Sequence, residues 1–188
     1  MIYFTSDTHF GHLRIIELSR RPFRDLSHMN ETIIQNWNAI VKPEDTLIHI
    51  GDFAMGPKIE HPNFFRRLNG RKVLVRGNHD QSHEKMVAMG WDEVDIRRYM
   101  ELDGKRLYLS HVPVGNDRPE TPDRYYKDEF TQLPTEPYDF WLCGHVHNSW
   151  KRRGNVINVG VDQWDFKPST LQQLLTAEET PDTPGAWV

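Results

Sequence analysis

The sequence predicts an α/β fold in which β-sheets pack against helices, and three observations support this prediction. Short apolar runs alternate along the chain with segments whose apolar residues recur at helical spacing. A two-residue turn signal, Asp103-Gly104, indicates an antiparallel hairpin in the second half. The chain shows no internal repeat, and its 188 residues are enough for one domain with a core of its own.

Strands and helices alternate through the first half of the chain. Apolar runs predict buried strands at residues 2–5, 46–50 and 72–75. Helices are predicted at residues 13–19, 31–41 and 82–89, with a short one around Phe64, Phe65 and Leu68 that begins near Pro62. In the second of these helices, Ile33, Ile34 and Trp37 recur at the spacing of one helical face. Alternation of this kind is typical of layered α/β folds.

The pattern changes in the second half of the chain. Residues 93–102 and 105–110 are predicted as the strands of a hairpin, and residues 140–143 and 156–159 as further strands. A Pro-rich connection occupies residues 112–137. From residue 176 onward the composition is that of a tail that cannot fill a core. We therefore expect one domain at residues 1–175, followed by a flexible or docked tail at residues 176–188.

The composition excludes several classes of protein. No apolar run approaches the roughly 18–20 residues that a membrane span requires, so an integral membrane protein is not expected. The N-terminal residues lack the pattern of a secretory signal. Cys143 is the only cysteine, which rules out an internal disulfide and favours a reducing, cytoplasmic location. With a net charge of −4 and a pI of about 6.2, the chain has no overall basic character that would attract nucleic acid.

Chemically active side chains follow five of the predicted strands at their carboxyl ends. In chain order they are Asp7 and His9, then Asp52, then Asn78, His79 and Asp80, then His111, and finally His145 and His147. In open α/β sheets this edge is where ligands bind. Carboxylate, amide and imidazole groups together suit borderline divalent metals. The sequence therefore predicts a metal site at this edge.

Five short motifs occur in a fixed order between Asp7 and His147: Asp-x-His, Gly-Asp, Gly-Asn-His-Asp, a separate His, and Gly-His-x-His. This arrangement resembles the motifs of the calcineurin-like metallophosphoesterase superfamily. The segments at residues 5–12 and 158–162 look like those of small phosphoesterases of bacteria and their phages. The resemblance implies a four-layer α-β-β-α sandwich of two mixed β-sheets flanked by helices, with two metal ions at the strand ends.

The resemblance also implies which residues hold the two ions. The first ion would be held by Asp7, His9, Asp52 and His147, and the second by Asp52, Asn78, His111 and His145. Asp52 would bridge the two ions. Mixed oxygen and nitrogen ligation favours Mn²⁺, with Fe, Zn²⁺ or Ni²⁺ as alternatives, over Ca²⁺.

Hydrolysis of a phosphate ester is the reaction that the resemblance implies, with attack by a hydroxide that bridges the two metal ions. His79 would contact the phosphate and protonate the leaving oxygen as general acid. Asp80 would orient the His79 imidazole and raise its pKa. A phosphodiesterase is favoured over a monoesterase, because a histidine acid helps most when the leaving alkoxide is poor.

The connection at residues 112–137 is either the substrate-specific element or a solvated loop with ordinary charges. Long loops in compact domains are usually functional or disordered. This one contains Arg118 and Arg124, which can bind phosphate. His12 lies near the predicted site by sequence and is a further candidate for substrate binding. The expected substrate is a phosphate ester, either a small molecule or a nucleotide.

Two other functions compete with the phosphoesterase, and the sequence indicates no particular oligomeric state. A scaffold module of the same fold without catalysis is disfavoured, because non-catalytic relatives lack the histidine that corresponds to His79. A metal-dependent nuclease would need a basic groove. The available basic clusters are Arg66-Arg67, Arg71-Lys72, Arg97-Arg98 and Lys151-Arg152-Arg153. Acidic residues separate these clusters, so nucleic acid is possible as a partner but less favoured.

Overall fold

The computed structural model describes residues 1–113 and 128–180, and within them nine strands form two sheets. The strands are β1 Ile2–Thr5, β2 Thr46–His49, β3 Arg71–Val75, β4 Glu93–Asp95, β5 Arg97–Leu102, β6 Lys105–Ser110, β7 Phe140–Cys143, β8 Arg152–Arg153 and β9 Val156–Asn158. The α-helices are α1 Leu13–Leu18, α2 Leu26–Ile40, α3 His61–Arg66, α4 His83–Met89 and α5 Leu171–Leu175. None of these described helices has the length and apolar character needed to cross a membrane.

The two sheets differ in strand direction. The first has the order β1-β2-β3-β4, and all of these pairs are parallel. An antiparallel bridge between Phe4 and Ser169 extends it at the β1 edge. The second has the order β5-β6-β7-β9-β8, with antiparallel pairs at its two ends and parallel pairs between them. The predicted α/β sandwich of two sheets flanked by helices is confirmed.

The core between the sheets follows from the period-two alternation of strand side chains. Phe4, Ile48 and Val73 of the first sheet pack against Leu109 and Leu142 of the second. The neighbouring residues on the strands of the first sheet face the opposite way and contact the helices. These are Tyr3, Leu47 and Leu74, which pack with Ile33 and Trp37 of α2, Phe65 of α3 and Met86 of α4.

The outer face of the second sheet is covered by aromatic side chains. Tyr108, Trp141 and Trp150 form a buried cluster there. The Tyr108 hydroxyl donates to the Gln132 carbonyl at 3.2 Å, and the Tyr99 hydroxyl accepts from the Thr135 amide at 2.7 Å. These bonds fasten the chain that leads into β7 against this face.

The predicted strand at residues 93–102 is two strands in two different sheets. Glu93–Asp95 pairs with β3, whereas Arg97–Leu102 pairs with β6 in the hairpin around Asp103-Gly104. Both pieces are extended, so the sequence pattern shows no boundary between them. The short strand β8 and helix α5 were not predicted. The helix α2 begins at Leu26, earlier than predicted, where the Asp25 side chain accepts from the His28 amide at 2.7 Å.

The described part of the predicted tail lies against β8. The Thr180 amide donates to the Arg152 carbonyl at 3.0 Å, and the Glu179 carboxylate accepts from the Gly154 amide at 3.1 Å. Ala177 is buried. Residues 176–180 are therefore docked, and the domain boundary at residues 175 and 176 stays a prediction.

Candidate metal centre

The predicted ligands come together at the carboxyl ends of the strands, where the two sheets approach each other. A parallel bridge between Ser6 and Gly160 joins the residues that follow β1 and β9. The Asp7 amide donates to the Gly51 carbonyl at 3.0 Å, and the His145 amide donates to the Asp7 carboxylate at 3.0 Å. The segments after β1, β2 and β7 are thus tied together at one point.

Two glycines of the motifs make this close approach possible. Gly51 has a φ of +84°, and a Cβ there would lie 2.5 Å from His111 Nδ1. A Cβ on Gly144 would lie 2.6 Å from an Asp7 carboxylate oxygen. Any other residue at either position would push a predicted ligand out of place.

One group of side chains fits the predicted first ion. One ligand atom from each of Asp7, His9, Asp52 and His147 lies within 4.8 Å of all the others. The His9 and His147 Nε2 atoms are 3.1 Å apart, and His147 Nε2 is 3.4 Å from Asp7 Oδ1. The Ser19 hydroxyl contacts His147 Nδ1 at 3.0 Å, which leaves Nε2 directed at the group. This donor set suits a borderline divalent cation.

A second group on the other side of Asp52 fits the predicted second ion. Asp52 Oδ2 lies 3.3 Å from His111 Nε2. His111 Nδ1 is 2.7 Å from the Ile50 carbonyl, which can only accept, so Nδ1 carries a proton and Nε2 is the ring atom that would ligate a cation. Within the part of the chain that the structure describes, His111 Nε2 and Asn78 Oδ1 are buried and have no hydrogen-bond partner. The His145 ring lies 5.3 Å from the His111 ring. Buried polar atoms without partners are costly, so these residues fit a bound cation.

The two buried aspartates are ionised in this setting. Burial raises the pKa of Asp7, but the hydrogen bond from His147 and the charge of His111 lower it by more than burial raises it. The net pKa of Asp7 is therefore below its usual range. Burial likewise raises the pKa of Asp52, and His111 reverses that effect. Burial lowers the pKa of His9 well below its usual value, so its imidazole is neutral. Carboxylates and neutral imidazoles are the forms that ligate metals.

Five of the predicted ligands have a left-handed backbone. Their φ angles are 55° at Asp7, 49° at His9, 58° at Asp52, 73° at His145 and 43° at His147. Only nine non-glycine residues in the described part of the chain have a positive φ. Each such residue costs about 1–3 kcal/mol and persists only where its surroundings hold it. The fold itself therefore holds these predicted ligands in place.

His79 stands at the solvent side of this group. Its backbone amide donates to Asp52 Oδ1 at 3.0 Å, and its Nε2 atom lies 3.9 Å from Asp52 Oδ2. The His79 side chain is 44% exposed, so a substrate can reach it. His12 is half-buried, and its ring lies 5.4 Å from the His9 ring. Arg118 and Arg124 lie outside the described residues.

Asp80 contacts backbone rather than the His79 imidazole. Its Oδ2 atom accepts from the amides of Asp52 at 2.9 Å and Gly77 at 2.8 Å, and its Oδ1 atom accepts from the Phe53 amide at 3.0 Å. Burial and the neighbouring Asp52 charge raise its pKa to about 6. This geometry differs from the predicted role as partner of His79. Asp80 fastens the loop after β2 to the loop after β3, and it positions Asp52 in this way.

Sequence reasoning missed two charged residues beside the first group. Arg21 and Asp162 form a buried ion pair, with Arg21 Nη2 2.8 Å from Asp162 Oδ2. Arg21 Nη2 also donates to the Asp7 carbonyl at 2.7 Å. Arg21 belongs to no motif, and Asp162 is 141 residues away in sequence, so no local signal could connect them.

The carboxylates of this group raise the pKa values of two of the predicted histidine ligands. Burial lowers the pKa of His111, but the Asp52 carboxylate raises it more, to about 10. Burial also lowers the pKa of His147, and the hydrogen bond to Asp7 reverses this to a net rise. A cation that binds through these ring nitrogens would have to displace their protons.

We therefore expect the affinity for Mn²⁺ to rise with pH through the neutral range, by about tenfold per pH unit for each displaced proton. Calorimetry in buffers of different ionisation enthalpy would count the protons released. An affinity that is the same at about pH 6 and about pH 8 would contradict this assignment.

Known proteins resemble this chain over most of its length. A sequence profile of the calcineurin-like phosphoesterase superfamily domain matches residues 1–176. An uncharacterized protein of Methanocaldococcus jannaschii is 31% identical over 186 residues, 93% of this chain and 89% of that protein. The gene 66 protein of Mycobacterium phage L5 is 27% identical over 186 residues, 86% of each chain. The crystal structure of an Aquifex aeolicus protein of unknown function matches this fold with a TM-score of 0.67, over 93% of this chain and 97% of that one. The two sequences are 35% identical.

Proposed function

Because the chain belongs to the calcineurin-like phosphoesterase superfamily, we propose that it is a dinuclear metal-dependent phosphoesterase that favours phosphodiesters. The observation that carries this proposal is the position of Asp52. One of its carboxylate oxygens, Oδ2, lies 3.6 Å from His9 Nε2 and 3.3 Å from His111 Nε2. A single carboxylate is thus placed between two groups of ligands, as a bridge between two cations requires.

The residues divide into two sets of ligands. Asp7, His9, Asp52 and His147 would hold the first ion, and Asp52, Asn78, His111 and His145 the second. Two divalent ions bound in this way would activate a water molecule and clamp the phosphate oxygens. Mn²⁺ suits the mixed donors best, with Fe, Zn²⁺ or Ni²⁺ as alternatives.

His79 is the residue proposed to protonate the leaving oxygen. Its imidazole is 44% exposed, and its Nε2 atom lies 3.9 Å from Asp52 Oδ2, so a substrate bound at the two ions would lie within its reach. The departing oxygen of an alkyl ester leaves poorly as an alkoxide unless it is protonated, so a general acid at this position favours esters with poor leaving groups, among them the proposed diesters. His12, next to His9, is proposed to contact the substrate phosphate. Arg118 and Arg124 are proposed to contact the rest of a small-molecule or nucleotide substrate.

The nuclease alternative is weakened by the contacts of the basic residues. Arg67 donates two bonds to Glu31, at 2.7 and 2.6 Å. Arg71 and Arg98 both pair with Glu93. The remaining clusters are engaged too. Lys151 lies 3.8 Å above the Trp164 ring, and Arg152 donates to the carbonyls of Gly154, Leu175 and Ala177. The carboxylate partners of Arg67, Arg71 and Arg98 reduce the positive charge that these clusters could offer to a nucleic-acid backbone.

A cytoplasmic location belongs to the proposal as well. The single thiol, Cys143, is buried, and burial raises its pKa well above the usual value. It is therefore inert as a nucleophile. A free thiol without a disulfide partner suits a reducing compartment such as the cytoplasm.

Metal stoichiometry tests the proposal directly. Metal-stripped protein reconstituted with Mn²⁺ and freed of excess ion is expected to hold two ions per chain by elemental analysis, and to hydrolyse phosphate esters only when loaded. A fully loaded protein that hydrolyses no member of a diverse panel of phosphate esters would favour the scaffold module. A stoichiometry that saturates at one ion would refute the dinuclear centre.

A further inference from the structure

Arg21 and Asp162 lie beside the proposed first metal site, and we propose that this ion pair positions Asp7, His9 and His147 for the first ion. Their side chains are 0% and 3% exposed. Arg21 Nε donates to Asp162 Oδ1 at 2.9 Å, and Nη2 donates to Oδ2 at 2.8 Å. The inference rests on the proposed metal centre and adds residues that control one of its two ions.

Arg21 holds both peptide groups that connect Asp7 to His9. Its Nη2 atom donates to the Asp7 carbonyl at 2.7 Å, and its Nη1 atom donates to the Thr8 carbonyl at 3.2 Å. These are the only two peptide groups between the ligands, because Thr8 alone separates them. A guanidinium presents its donors in a rigid plane, so one side chain fixes both carbonyls and binds a carboxylate as well.

The backbone amides of Asp7 and His9 are held by the adjacent segment that follows β2. The Asp7 amide donates to the Gly51 carbonyl at 3.0 Å, and the His9 amide donates to the Asp52 carbonyl at 3.1 Å. Asp7 and His9 both have a left-handed φ, which persists only when its surroundings determine it. Arg21 supplies the bonds on the carbonyl side that complete this restraint.

Asp162 links the same restraint to His147. It belongs to the 3₁₀ turn Val161–Gln163, in which the Gln163 side chain donates to the His147 carbonyl at 3.0 Å. The Asn158 side chain donates to that carbonyl as well, at 2.8 Å. The turn that neutralises Arg21 therefore also holds the backbone of the third ligand.

The proposed second ion depends on other contacts. His111 is oriented by the Ile50 carbonyl at 2.7 Å. The loop that carries Asn78 is held by Asp80, which accepts from the Gly77 amide at 2.8 Å. Loss of the ion pair should therefore affect one ion and spare the other.

The test is a Mn²⁺ titration of the full-length chain, followed by electron paramagnetic resonance. Two adjacent Mn²⁺ ions give a spin-coupled signal, and a lone ion gives an uncoupled one. In Arg21→Met, we expect the affinity for one ion to fall about 10–100-fold and the affinity for the other to stay unchanged, so the uncoupled signal dominates at intermediate Mn²⁺. Asp162→Asn should act in the same direction, and Arg21→Lys should resemble Arg21→Met because lysine lacks the planar fork.

Arg67→Met is the matched control, because Arg67 makes an equally bidentate ion pair with Glu31 on the surface. It should change neither affinity. The proposal is overturned if the Arg21 and Asp162 variants lose thermal stability but keep both affinities, or if both affinities fall equally. Full affinity in Arg21→Lys would also overturn it, since charge alone would then suffice. If Arg21→Met does not fold, the other two variants decide by the same criteria.

The wild-type chain separates this inference from the proposed function. Binding of two ions without hydrolysis of any phosphate ester would contradict the proposed function and leave the ion-pair inference standing. Binding of fewer than two ions would overturn both.

Discussion

Asp52→Asn is expected to weaken the binding of both Mn²⁺ ions and to lower phosphoester turnover by at least about 10³-fold, since metal ions supply several kcal/mol of transition-state stabilisation. Asp52 Oδ2 faces His9 on one side and His111 on the other. An amide oxygen has the same shape but no charge, so it cannot balance two cations. The backbone conformation of the loop at His79 should be preserved, because an asparagine side-chain oxygen can still accept from the His79 amide as Asp52 Oδ1 does.

Elemental analysis and turnover on one phosphodiester, measured together, would check this expectation. Asp25→Asn is the matched control, because it makes the same chemical change at an exposed helix cap, where asparagine serves as well as aspartate. It should leave metal content and turnover intact. If Asp52→Asn loses one ion and keeps the other at wild-type affinity, Asp52 is not the bridge.

Much of this centre could be predicted because the strand ends carry the chemistry. The apolar runs that became β1, β2, β3, β6 and β7 are visible as short blocks, and the residues after them are polar. Carboxyl ends of parallel strands meet at one edge of a sheet, so their proximity follows once the strands are recognised. The superfamily predicted from the order of the motifs is confirmed over residues 1–176.

Contacts made by backbone atoms could not be predicted in the same way. Asp80 follows His79 in sequence, which favours an interpretation as its partner, yet its carboxylate binds three backbone amides. Arg21 contacts the carbonyls of Asp7 and Thr8, and no pattern of side chains encodes that contact. The left-handed backbone of the proposed ligands is equally invisible in a sequence, although Asp and His tolerate it better than most residues.

The boundary between β4 and β5 shows a different limit. The chain leaves the first sheet after Asp95 and enters the second at Arg97 without a turn residue. Both segments satisfy the pattern of a strand, and only the partner strands distinguish them. Strand continuity is therefore decided by tertiary pairing, which local propensity cannot report.

His79→Ala is the second change for which we expect a large effect. The imidazole is exposed, and its contact with Asp52 through the backbone amide survives the substitution. Metal content and thermal stability should therefore stay close to wild type. Loss of a general acid typically costs about 10²–10⁴-fold in turnover, and we expect a loss of this size for diesters with alkyl or ribose leaving groups.

The size of the loss should depend on the leaving group, because proton transfer matters most when the departing oxygen is strongly basic. A nitrophenyl ester expels a stabilised phenolate, so its turnover by His79→Ala should fall by less than about tenfold. Steady-state kinetics of aryl and alkyl diesters on equally loaded protein would measure the difference, with His83→Ala as control for loss of an exposed histidine in the following helix. Equal losses on both kinds of substrate would remove the acid role and leave His79 as a phosphate-binding residue. A loss much larger on alkyl than on aryl diesters would identify His79 as the proton donor.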